Sequence, residues 1–210
     1  MEDVPLPDLR PRLIDAMLPH VAFDGWSSAA LRAGAADVGI DPDVAALAFD
    51  GPADMVDAYI ARADAAMLAA CDTDAFRALK IRARVTEAIW TRLEQAAPHR
   101  EAARRAAALL TTHPVVAART LARTADAIWR AAGDTATDFN WYSKRGLAAA
   151  VYASTLLRWL ADDSEGFAET RAFLERRIDN VMAIEKLKAK RPADGFSVAR
   201  FLGRLRYPVR

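Results

Sequence analysis

Thr137-Asp138-Phe139-Asn140-Trp141-Tyr142-Ser143-Lys144-Arg145 opens the longest apolar helix predicted by the sequence, running to about Ala161. At roughly 100° per residue Trp141 and Trp159 share one side and Tyr152 lies about 20° away, so the helix carries an aromatic stripe about 27 Å long. Leu147, Val151, Leu156, Leu157 and Leu160 cover much of the remaining circumference. A helix apolar nearly all round is expected to be buried on two sides, in its own domain and against something else. The opening turn sets Asp138, Asn140, Lys144 and Arg145 beside two large aromatics, Trp141 and Tyr142, a mixture suited to partner recognition. A local reading of the same residues is an N-cap at Thr137, a first-turn acid at Asp138 and Arg145 packed over Trp141.

Outward from this helix the composition favours an all-α fold. The 210 residues are 53% hydrophobic and 27% charged, dominated by Ala and Leu, with periodic segments long enough for helices. A lone cysteine, Cys71, makes no intramolecular disulfide and reads as a small core residue. Met1 leads into two acids and two prolines rather than a basic-then-apolar run, so neither a secretion signal nor a mitochondrial presequence is expected. No charge-free run approaches the length of a membrane span.

Toward the N-terminus, Leu13, Ile14, Met17, Leu18 and Val21 recur at helical spacing until Asp24-Gly25. Ser27 or Ser28 can cap a second helix to Val38, Gly39 stops it, and Asp41-Pro42-Asp43 starts a third. Three short helices with this glycine turn resemble the helix-turn-helix domain of tetracycline-repressor-like regulators. Charge argues against DNA binding, because no Lys or Arg occurs between Arg32 and Arg62 while Asp37, Asp41, Asp43, Asp50, Asp54 and Asp57 do. Acids on a recognition helix would repel the phosphates that dominate DNA affinity.

Gly51-Pro52 opens a fourth helix, with Met55, Val56, Tyr59, Ile60, Ala63 and Met67 on one face, ending near Asp72-Thr73. A fifth is expected as one piece from about Asp74 to Ala97 with Leu79 inside, then a basic, half-exposed connector from His99 to Thr111. Ala118, Leu121, Ala125, Ile128 and Ala132 form a narrow face for close helix approach, Gly133 ends that helix, and Asp162-Asp163-Ser164 ends the aromatic helix and caps the next. The last 25 residues hold eight Lys/Arg against one acid, Asp194. After the Pro192-Ala193-Asp194-Gly195 linker, Phe196, Val198, Phe201, Leu202 and Leu205 with Arg200 and Arg204 form a predicted amphipathic membrane-binding helix. Apolar side chains at about 1.5 to 3 kcal/mol each when fully buried, and arginines adding about 1 kcal/mol each at an anionic leaflet, give reversible attachment. The same helix could instead fold back on its bundle. The expected organisation is a degenerate helix-turn-helix-like module at 1–51, a helical bundle at 52–190, which the family resemblance given below implies is a lipid-binding and dimerisation unit, and the linker with its amphipathic helix at 191–210.

Catalytic patterns are missing. His20, His99 and His113 are scattered, no Gly-rich phosphate loop or Gly-x-Ser-x-Gly turn occurs, and no Cys pair can hold zinc. Asp134 and Asp138 could be read as a carboxylate pair, but both sit where helix N–H groups need acceptors. The expectation is a binding protein with no catalytic residue, metal or cofactor.

From Asp126 through Trp129, Gly133-Asp134-Thr135 and Asp138-Phe139-Asn140-Trp141-Tyr142-Ser143-Lys144-Arg145 the chain resembles the ubiquinone (coenzyme Q) biosynthesis accessory proteins, the ninth-named coenzyme Q family. The likeness continues through Asp162-Asp163-Ser164-Glu165-Gly166-Phe167 and back to Pro19-His20-Val21-Ala22-Phe23-Asp24-Gly25-Trp26. It implies a repressor-like fold without DNA binding, a homodimer, and an apolar cavity for an isoprenoid lipid. It also implies a partner, the di-iron demethoxyubiquinone hydroxylase, engaged by the Trp141/Tyr142 patch, and a membrane surface engaged by the helix around Phe201. The expected location is bacterial: cytoplasmic, peripheral at the inner membrane. Two readings of other classes stand beside this one, a ligand-sensing TetR-type transcriptional regulator and a small all-α enzyme.

Overall fold

The computed structural model describes residues 6–133 and 140–189, all helices and short connections, with no strand among them. The N-terminal module holds α1 (Leu6–Asp24), α2 (Ser28–Asp37) and α3 (Pro42–Ala46). Its caps are those the sequence predicts: Ser27 accepts from the Ala30 N–H, Asp41 accepts from the Asp43 N–H, and Gly39 takes φ +68 after α2. The α1 and α2 backbones cross closely at Gly34, where a Cβ would lie 2.7 Å from Met17 Cα. Only a residue without a side chain fits there. Leu9, Leu13, Ile14, Met17, Val21, Trp26 and Leu31 form a buried cluster that reaches Met55 and Val56 on the next helix.

The remaining helices are α4 (Pro52–Cys71), α5 (Asp74–Ala78), α6 (Ile81–Ala96), α7 (Arg100–Leu110), α8 (Pro114–Ala131), α9 (Asn140–Leu160) and α10 (Ala168–Ala189). A second cluster joins Met67, Cys71, Phe76, Ile89, Leu93, Ile128, Val151, Tyr152, Trp159, Leu174 and Ile178. Cys71 is buried there, and burial, followed by nearby Glu87, pushes its thiol pKa up. It is an inert core residue.

Two expectations are corrected. The single helix from Asp74 to Ala97 is broken at Leu79 and Lys80, both in extended conformation. Arg84 holds this break by donating to the carbonyls of Leu79 (2.8 Å), Arg77 and, across the bundle, Ala132 (3.1 Å). Leu79 is consequently at the surface rather than inside. The basic connector is also a structural hub: in α7, Ala102 and Ala106 pack into the first cluster and Ala103 into the second. Trp26 Nε1 donates to the Ala102 carbonyl (3.1 Å) and Arg105 donates to the Ala22 carbonyl (2.9 Å), so α7 ties the module to the bundle.

The C-terminal end of α9 is held from α7 as well. Arg100 donates to the carbonyls of Trp159 (2.9 Å) and Asp162 (2.6 Å), and Arg104 donates to that of Leu160 (2.8 Å). The Trp159 and Leu160 carbonyls belong to the last turn of α9, where carbonyls have no partner within their own helix. Asp162 then caps the next element, accepting from Ser164 N (2.9 Å), Ser164 Oγ (2.7 Å), Thr170 N (2.8 Å) and Thr170 Oγ1 (2.5 Å). The Asp-Asp-Ser run therefore ends one helix and starts another, as its sequence predicts.

Candidate functional site

Helices α4, α6, α7, α8 and α9 do not close completely on one another, and the gap is an apolar pocket of about 240 Å³. Small residues make the space: Ala96 on α6, Ala103, Ala106 and Ala107 on α7, Ala117 on α8 and Ala153 on α9. Ile60, Leu93, Leu110, Leu121, Leu156 and Leu157 complete its walls. Leu157 is 65% exposed and marks the mouth, whereas Arg92, Thr124 and Tyr152 are buried and mark the inner end. Apolar walls with a few polar groups at one end are the usual design of a small-molecule site.

That inner end is a charged network inside the protein. Arg92 Nε donates to Asp64 Oδ1 (2.8 Å), Arg92 Nη1 donates to the Tyr152 hydroxyl, and Thr124 Oγ1 donates to Asp64 (3.0 Å). The Arg92 guanidinium also lies 4.9 Å from the Tyr152 ring centroid. Burial works against its charge, but Tyr152 and Asp64 outweigh burial and raise its pKa above the ordinary arginine value. Burial pushes the Tyr152 pKa up, opposed by Arg92. Tyr59 is driven the same way, to about 12, mainly by burial. Both phenols therefore keep their protons at neutral pH. Arg123 connects the network to the surface through Asp57 (2.8 Å) and reaches Asp64 Oδ2 at 3.6 Å.

Sequence reading placed Tyr59 and Tyr152 on apolar helix faces but missed Asp64, Arg92, Arg123 and Thr124. A signal for them existed: Asp64 occupies the apolar phase of α4, four residues after Ile60 and three before Met67, and Arg92 follows Ile89 by three. A charge at a core phase on two helices is what a buried pair looks like in sequence.

The opening of α9 is fixed from α8. Arg145, with a side chain only 11% exposed, donates through Nε to Asp126 Oδ1 (2.7 Å), and Asp126 also pairs with Arg130 (3.0 Å). Of the predicted patch, Asn140, Trp141, Tyr142 and Lys144 belong to the first turns of α9, while Asp138 and the side chains of those four lie outside the described residues. The predicted membrane-binding residues Phe196, Val198, Arg200, Phe201, Leu202, Arg204 and Leu205 lie outside them too.

On the module, Asp41, Asp43 and Leu47 are exposed at α3, so that helix presents acids and an apolar side chain. His20 pairs with Asp37 at 2.7 Å. Among the described residues no three His, Cys, Asp or Glu side chains come together as a metal site, and no helix is long and apolar enough to cross a membrane.

With this geometry in view, comparison with known proteins is informative. Residues 115–185, which span α8, α9 and most of α10, match the COQ9 family. The chain is 28% identical over 191 residues to the human mitochondrial ubiquinone biosynthesis protein COQ9, covering 83% of this chain and 58% of that protein. Its Drosophila melanogaster counterpart is 28% identical over 188 residues, covering 85% and 57%. A probable ubiquinone biosynthesis protein coq9 of Dictyostelium discoideum is 41% identical over 63 residues, covering 30% of this chain and 20% of that protein. The chain thus spans under three fifths of the length of these relatives. The fold is that of a TetR transcriptional regulator from Nitrosomonas europaea, at TM-score 0.65 and 23% identity, covering 81% of this chain and 95% of that one. The sequence likeness and the TetR-like all-α fold expected from the residues are both met.

Proposed function

Since this chain is related to the COQ9 proteins through the segment that builds one wall of the pocket, we propose that it is a non-catalytic, lipid-binding accessory protein of ubiquinone biosynthesis. The observation that carries the reading is the apolar pocket itself, entered beside Leu157 and walled by alanines and leucines of four helices with Ile60 of α4. Its occupant is an isoprenoid quinone precursor or a phospholipid chain drawn from a membrane, which the basic, amphipathic segment after Pro192 contacts. The patch around Trp141 and Tyr142 docks the di-iron hydroxylase that modifies the precursor's head group. The chain works as a homodimer, bound peripherally to a membrane, and carries out no covalent step.

Charge supports this over the regulator reading, since Asp41 and Asp43 stand exposed where a recognition helix would meet phosphates. A salt-dependent gel shift with duplex DNA checks it, and tight sequence-specific binding would reverse the preference. The direct test is mass spectrometry of lipids extracted from natively purified protein, beside Leu156→Trp and a version ending at Arg191. A quinone, isoprenoid or phospholipid is expected in the full chain and is lost from Leu156→Trp; the truncation reads the contribution of the basic segment. Lipid-free folded protein would remove carriage from the proposal. For the partner, Trp141→Ala/Tyr142→Ala is expected to abolish hydroxylase pull-down while leaving the bound lipid in place.

A further inference from the structure

Tyr59, Arg92 and Ala96 also wall a second cavity, of about 290 Å³, that opens between α1, α4 and α6. We infer that it is a separate site for a small organic carboxylate, held by Arg92, Tyr59 and His99. The site is independent of lipid carriage.

The two cavities differ in what surrounds them. Ala63 and Ala66 of α4 leave the space for the second one, and Asp15, Arg62, Gln95 and His99 line it, none of which lines the apolar pocket. Asp15, its carboxylate, is already held at the exposed rim by Arg62 (3.0 Å), and Gln95 donates to the Ala66 carbonyl (3.3 Å).

Three groups at this cavity have hydrogen-bonding capacity that no described residue meets. Arg92 spends Nε on Asp64 and Nη1 on Tyr152, which lines the apolar pocket and not this cavity, and its Nη2 has no acceptor. That Nη2 is not one of the side-chain nitrogens sealed in the interior, so it reaches open space. The half-buried Tyr59 touches Trp26 with its ring (centroids 5.1 Å apart), and its hydroxyl forms no hydrogen bond to any described residue. This phenol stays a donor at neutral pH, its pKa raised to about 12 mainly by burial. His99, half-buried at the turn before α7, makes no hydrogen bond or ion pair with any described residue. A guanidinium nitrogen and a phenol placed this deep ordinarily have acceptors.

The charge suits a single anion. Asp57 and Asp64 face Arg92, Arg119 and Arg123, two carboxylates against three guanidinium groups. Asp15 and Arg62 cancel at the rim. One positive charge is left over, and Arg92 cannot shed its own. A carboxylate matches that charge, and its two oxygens accept charge-assisted hydrogen bonds from Arg92 Nη2 and from Tyr59 or His99. A phosphate dianion carries more charge than the site balances, and an alkyl chain leaves every donor unmet. A cavity of about 150 Å³ accepts benzene, so one of about 290 Å³ holds a carboxylate on a ring or short chain of that size.

The test is an NMR titration of the full chain that follows backbone amide shifts, with benzoate as the probe and benzamide and inorganic phosphate beside it. Benzoate is expected to shift amides within 59–66 and 92–99 with a roughly millimolar dissociation constant, the order set by so small a ligand. Benzamide, of the same size without the charge, should bind about tenfold more weakly. Tyr59→Phe, which keeps the ring contact with Trp26, and His99→Phe should each weaken benzoate about threefold to tenfold. Ala63→Leu fills the cavity without entering the apolar pocket, and should abolish benzoate binding while co-purified lipid stays in place. All three substitutions leave the Arg92–Asp64 pair intact. Equal binding of benzamide, tighter binding of phosphate, indifference to both Tyr59→Phe and His99→Phe, or benzoate binding that survives Ala63→Leu would each overturn the assignment. So would loss of lipid together with benzoate in Ala63→Leu, which would make the two cavities one site, or no benzoate binding in the millimolar range. If the purified protein carries no lipid while benzoate binds as described, carriage falls and this site stands.

Discussion

The two halves of the interior are built on different terms. Around α1–α3 the buried side chains are apolar without exception among the described residues, from Leu9 to Phe49. From α4 onward burial includes Asp64, Thr86, Arg92, Thr120, Thr124, Thr155, Asp162 and Thr170. The first region is a closed core whose residues answer only to packing. The second tolerates desolvated charge, and where Asp64 and Arg92 meet it also leaves space unfilled. Within a fold shared with a TetR transcriptional regulator, the N-terminal module is thus a closed apolar core and the buried polar groups lie in the helices that follow it.

The sharpest way to break this comparison is Arg92→Met. It leaves buried Asp64 with only Thr124 and the longer 3.6 Å contact to Arg123, and is expected to destabilise the protein by about 3 kcal/mol in urea unfolding. Replacing both partners, Asp64→Leu with Arg92→Met, should recover most of that loss, because packed apolar groups replace a buried pair at little cost. A double variant as unstable as the single would mean that the pair is a structural element like those of the first region.

Leu13→Ala, in the all-apolar core, is expected to cost about 2–5 kcal/mol, with no second substitution elsewhere able to restore it. Its effect should be confined to stability, measured by thermal and urea unfolding, with probe binding unchanged while the chain stays folded.

A smaller, pH-dependent effect belongs to Asp162. Burial alone would raise its pKa, but hydrogen bonds from the side chains of Ser164 and Thr170 and then from their N–H groups lower it well below the ordinary carboxylate range. A depressed pKa contributes stability that is fully present above the unfolded value, near 4, and is lost as pH falls toward the folded one. Stability should therefore fall with acidification below about pH 4, and Asp162→Asn should flatten that limb while lowering stability at neutral pH.

Most of the scaffold was legible because its signals are local. Ser27, Gly39 and Asp41-Pro42 act through their own backbone neighbours, and Asp162 serves residues within eight positions of itself. What escaped depends on groups far apart in sequence. The break at Leu79 carries no glycine or proline; it exists because Arg84 gathers carbonyls, one of them 48 residues away. The pocket floor joins Asp64, Arg92, Thr124 and Tyr152 from four helices, and a single charged residue in an amphipathic segment reads as surface until the opposite charge is seen beside it. The alanines that hollow the pocket read as helix formers, since a void is a property of helices that do not meet. The aromatic stripe was half legible: Tyr152 and Trp159 are buried as phase predicts.

Arg100 and Arg104 hold α9 from α7 at its C-terminal end, and Arg145 holds its opening turns to Asp126 of α8. A helix of 21 residues held this way is a beam pinned at both ends, on the two helices that also wall the pocket. Such a beam bows or rolls about its axis rather than swinging, so whatever fills the pocket presses on it between two fixed points.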